Sequence, residues 1–98
     1  MIVAYSPAVG LALLEADDFK GFKLRLRDTA ARRPTLPGVA FVDDDNVLVA
    51  IDAVASLPGA PGTDAWQAGF RKMIEYASSK GWIDAKTNSI RAHVERVP

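Results

Sequence analysis

Thr63 to Gly81 reads TDAWQAGFRKMIEYASSKG, and the reading of this stretch decides where the rest of the chain is placed. Trp66, Phe70, Met73, Ile74 and Ala77 recur at spacings of three and four, so on a helix they form one apolar stripe, with Gln67, Arg71, Lys72, Glu75, Ser78 and Ser79 largely outside it. Pro58, Gly59, Pro61 and Gly62 stop a helix from running in from upstream, and Thr63 or Asp64 offers an oxygen to the free N–H groups of a first turn. Lys80 suits the negative end of the helix dipole, and Gly81 suits the left-handed residue that ends a helix. A helix over 63–80 is roughly 27 Å long at about 1.5 Å per residue, enough to cross a small sheet. Gly69 in its middle costs about 1 kcal/mol relative to alanine. It either admits the close approach of a neighbouring strand or subunit, or it has no special role.

Upstream, Phe22, Leu24 and Leu26 alternate with Lys23, Arg25 and Arg27, the period of a half-buried strand. Val39–Val42 and Val47–Ile51 flank Asp43, Asp44, Asp45 and Asn46, which predicts a hairpin. Asp28–Gly38 reads as a surface loop, and Asp52–Gly62 as a proline and glycine connection. Met1–Tyr5 is a short strand or a loose terminus. Ser6 and Pro7 open either a short helix reaching Ala16 or a buried strand. After a cluster of turn formers, Ile90–Val97 alternates as a last strand, with helical spacing of Ile90, Val94 and Val97 as the rival. The expectation is a single α+β domain over 1–98: a small antiparallel sheet of about four strands packed on one long helix, with a short N-terminal helix possible.

Twelve basic residues balance twelve acidic ones, which argues against nucleic acid and membrane surfaces as partners. No run of apolar residues is long enough for a membrane span, and no basic leader with a cleavage site opens the chain. The absence of cysteine removes disulfides, thiol nucleophiles and cysteine-rich zinc sites, so the cytoplasm is the expected compartment. One helix covers one side of such a sheet only partly, and the surface left bare predicts a homodimer.

His93 is the single histidine, the residue type whose ordinary titration lies nearest neutrality. On a strand it shares a face with Arg91 and Glu95, so one reading makes His93 an acid/base, Arg91 an anion clamp and Glu95 the carboxylate that orients the imidazole. The same trio also suits an ordinary solvated strand face. Asp43–Asn46 supplies oxygen ligands but lacks the glycine and the bidentate glutamate of a calcium loop, so no metal is expected. Lys20, Lys23, Arg25, Arg27, Arg32 and Arg33 form one basic region suited to a phosphate, an anionic metabolite or an acidic partner. The glycines match no phosphate or dinucleotide fingerprint, so no cofactor is expected. Tyr76 and Trp82, exposed together, would make a subunit interface or an aromatic ligand pocket. Two function classes follow: a homodimeric non-enzymatic interaction or accessory module, or a domain that binds or transforms a small anionic or aromatic metabolite with His93, Arg91 and Glu95.

Overall fold

The computed structural model, which describes residues Met1–Pro98, holds a curled, mixed sheet of seven strands in place of the expected antiparallel sheet of four. The strands are β1 (Ile2–Ser6), β2 (Gly10–Leu14), β3 (Lys23–Arg27), β4 (Val39–Phe41), β5 (Asn46–Ala50), β6 (Ile83–Asp84) and β7 (Ser89–Val97); α1 (Ile51–Ala55) and α2 (Asp64–Ser79) lie between β5 and β6. Their order across the sheet is β2-β1-β3-β7-β5-β4. β6 pairs with Ser89 and Ile90 of β7, and β3 takes His93–Val97.

The correction has a physical cause. β1, β3 and β7 run parallel, and parallel neighbours are brought together from distant parts of a chain with no tight turn between them. The hairpins β1–β2, β4–β5 and β6–β7 are antiparallel. The short N-terminal helix is absent: Ser6 pairs with Gly10, and Pro7–Val9 forms the turn, closed by the Val9 N–H on the Ser6 carbonyl at 3.3 Å. Asp52–Gly62, expected as a plain connection, instead opens within the single turn and a half of α1. A segment that short shows no periodicity.

Inner positions of the strands, Val3, Leu13, Leu24, Leu26, Val47, Val49, Ile90, Ala92 and Val94, form the core with Trp66, Phe70, Met73 and Ala77 of α2 and Val54 of α1. α2 starts where Thr63 Oγ1 accepts from the Trp66 N–H at 3.1 Å. Trp66 stacks on Phe70 with ring centroids 5.0 Å apart and 8° between planes, and its indole N–H donates to the Ala16 carbonyl at 2.8 Å. Gly69 is where the loop from β2 to β3 comes closest: a Cβ there would lie 2.7 Å from the ring of Phe19. The close approach is that of a loop side chain, not of a strand or a subunit.

Candidate functional site

The helices and the core lie on one side of the sheet, and the alternation of each strand sends its other residues to the opposite side. The register aligns two rows there. One runs Leu14, Ile2, Lys23, His93, Asn46; the next runs Ala12, Ala4, Arg25, Glu95. Arg91 and Arg27 extend β7 and β3 on this face. Of the residues singled out in the sequence, Arg25, Arg27, Arg91, His93 and Glu95 therefore come together on the outer face of two neighbouring parallel strands. Tyr76 and Trp82 meet each other beside the last turn of α2, and of this set only Arg91 lies next to them.

Glu95 is the centre of the charged rows. Its Oε2 accepts from Lys23 Nζ at 2.6 Å and its Oε1 from Arg25 Nε at 2.5 Å. These two hydrogen bonds, that from Lys23 first, hold its carboxyl below the usual carboxylate range, against a smaller opposing effect of burial. Both oxygens are thus engaged across the strand pair, and His93 stands exposed opposite Lys23 and Asn46. Arg27 donates through Nη1 to the Pro98 carbonyl at 3.1 Å. Lys23 belongs with the site residues. The alternation of Phe22–Arg27 places it beside Arg25, but its link to Glu95 exists only because β3 pairs with β7.

No protein-family model, curated protein or solved structure matches the chain. Four cations (Lys23, Arg25, Arg27 and Arg91) face outward, with Glu95 as the carboxylate among them and Asp43 near Arg91 at the hairpin tip. No helix is long and apolar enough to cross a membrane.

Of the other basic residues, Arg32 and Arg33 are engaged elsewhere. Arg32 Nε and Arg33 Nε donate to the two oxygens of Asp44 at 2.8 and 2.7 Å, clasping the loop that precedes β4 to the hairpin turn. Asp43 accepts from the Asp45 N–H and from Asn46 Nδ2, so the acidic tip uses its oxygens on its own turn and on Arg32 and Arg33. No group of three or more histidine, cysteine or acidic residues is placed to hold a metal ion. The largest concavity, about 360 Å³, is an open trough between α1 and α2 lined in part by Ile51, Phe70, Arg71 and Ile74, away from these charges.

The Asp44 clasp predicts a pH effect. Hydrogen bonds from Arg32 and then Arg33 lower the Asp44 carboxyl from 3.8 to about 2. A group lowered on folding contributes stability that is complete above its unfolded pKa and disappears as pH falls through its folded one. The stability difference between the natural chain and Asp44→Asn, read from urea midpoints, is expected to hold steady from about pH 7 to 5, shrink below about 4 and close only below about 2. A difference unchanged at pH 2 would contradict the clasp.

Proposed function

We propose that the chain is a non-enzymatic interaction module that works in the cytoplasm as a homodimer and receives an acidic protein partner on the bare face of its sheet. The observation that carries this reading is the set Lys23, Arg25, Arg27 and Arg91 on a face that no helix covers. Glu95 ties Lys23 and Arg25 side by side, so two of the cations are already ordered and lose less rotamer freedom when a carboxylate arrives. Arginine's fixed fork of donors suits such a partner. The β1–β2 half of the same face supports self-association. Leu14 and Val9 are exposed there, 42% and 80%, beside Ala4 and Ala12. The rival reading, an enzyme or metabolite-binding site built on His93, has less support, because the hydrogen bonds of Glu95 go to Lys23 and Arg25 and none goes to His93.

Oligoglutamate titrated by calorimetry is expected to bind at low ionic strength and to weaken as salt rises, since exposed charges are screened within about 10 Å at 0.1 M. Arg27→Glu with Arg91→Glu is expected to weaken it roughly tenfold or more, about 1.4 kcal/mol. Sedimentation equilibrium at high micromolar concentration is expected to find a dimer that Leu14→Glu dissociates. Binding that ignored the double reversal, or that favoured duplex DNA over oligoglutamate, would overturn the acidic protein partner. A monomer throughout would overturn the homodimer.

A further inference from the structure

Tyr76 and Trp82 are the two aromatic side chains left largely in solvent, 59% and 46% exposed. They are held, not loose. The Trp82 N–H donates to the Ala77 carbonyl at 3.0 Å, and the Trp82 carbonyl accepts from the Arg91 N–H at 2.8 Å, so its backbone is fastened to both α2 and β7. The rings meet edge to face, 6.1 Å between centroids at 68°. Within the chain the Trp82 indole N–H and the Tyr76 hydroxyl have no hydrogen-bond partner, whereas the indole N–H of Trp66 is bonded to Ala16. Beside the pair lies a cleft walled by Phe19, Phe22 and Ile90, and cations surround it: Lys20 and Arg91 line it, and Lys80 Nζ stands 5.5 Å from the centre of the Tyr76 ring. No carboxylate lines it.

Rigid aromatic faces, a free indole donor and cations in a lining that holds no carboxylate, with Asp18 and Asp43 near Lys20 and Arg91 but outside the cleft, are complementary to one kind of ligand. We infer that this cleft binds a small planar aromatic carboxylate, its ring against Trp82 and Tyr76 and its acid group toward Lys20 and Arg91. The cleft measures about 90 Å³, against roughly 150 Å³ for a buried cavity that holds benzene. It therefore admits the edge of a ring while the face rests on Trp82. A second copy of the chain is a poorer occupant, because a two-fold contact would set Lys20, Lys80 and Arg91 against their own equivalents. Arg91 is shared with the acidic-partner face, whereas Trp82, Tyr76 and Lys20 belong to this cleft alone.

The test is a titration of the ¹⁵N-labelled chain with 2-naphthoate, followed at the two indole N–H signals, with 2-naphthamide as the uncharged probe. The Trp82 signal is expected to shift and saturate with naphthoate, and the Trp66 signal to stay in place. Trp82→Ala is expected to abolish saturable binding while the Trp66 signal, unmoved, reports an intact fold. Lys20→Gln is expected to weaken binding by up to about fivefold, the scale of one exposed ion pair. Absence of saturation, equal binding of the amide and the acid, or a Trp82 signal that moves with protein concentration alone would each overturn the inference.

Discussion

Replacing Trp66 with alanine is expected to destabilise the fold by about 3 to 5 kcal/mol, the range for removing a buried aromatic from a packed core. Trp66 is 4% exposed, stacks on Phe70 and lies 6.4 Å from the ring of Phe19. The loss combines apolar burial, the cavity left where the indole joined α2 to the β2–β3 loop, and an Ala16 carbonyl deprived of its donor, about 1 kcal/mol by itself. Against a total of roughly 5 to 15 kcal/mol for a small domain, this one substitution removes a large share. Urea denaturation followed by circular dichroism measures it. Trp66→Phe keeps a ring against Phe70 and gives up the Ala16 bond, so it is expected to lose less. A Trp66→Ala cost below about 1.5 kcal/mol would mean that Phe19 and Phe70 close the space and that Trp66 is not the tie between loop and helix.

The second large effect is at Gly59. Its φ is +96°, and a Cβ built there would lie 2.2 Å from the Leu13 carbonyl oxygen. The obstacle is backbone, with no rotamer to turn aside. The loop must therefore lift from β2, and with it the bond from the Leu13 N–H to the Pro58 carbonyl, 2.7 Å long, which occupies part of that strand's free edge. Gly59→Ala is expected to cost about 2 to 4 kcal/mol, combining backbone strain of about 1 to 3 with a lost hydrogen bond of about 1. Gly62→Ala is the control, because Gly62 also has positive φ, +72°, but open space around its Cβ position. Equal losses at the two positions would show that conformation alone is at work and that the loop does not rest on β2.

These two sites differ in how far they were legible beforehand. The stripe of Trp66, Phe70, Met73 and Ala77 announces a buried face because helical geometry repeats within four residues. The alternation of Lys23–Arg27 likewise assigns three cations to one side of a strand without reference to any other part of the chain. Nothing near Gly59 announces Leu13, and nothing near Gly69 announces Phe19. A glycine among prolines reads as a turn whether or not another backbone lies against it. The candidate site was legible in the same partial way. Arg91, His93 and Glu95 alternate visibly. What Glu95 bonds to was hidden.

The sequence by itself determined which residues face inward or outward on α2 and β3, where α2 begins and ends, and that Asp43–Asn46 makes a turn; it left the first sixteen residues open and did not announce α1. Only the tertiary structure decided the neighbours: β3 between β1 and β7, and Glu95 joined to Lys23 and Arg25 at separations of 72 and 70 residues. The reason is physical. Facing is set by backbone periods of two and 3.6 residues that act locally, whereas the cost of closing a loop rises only slowly with its length, so many pairings compete and the burial of whole faces selects among them. Two parallel strands met because their apolar sides completed one core, and their charged sides were brought together as the consequence.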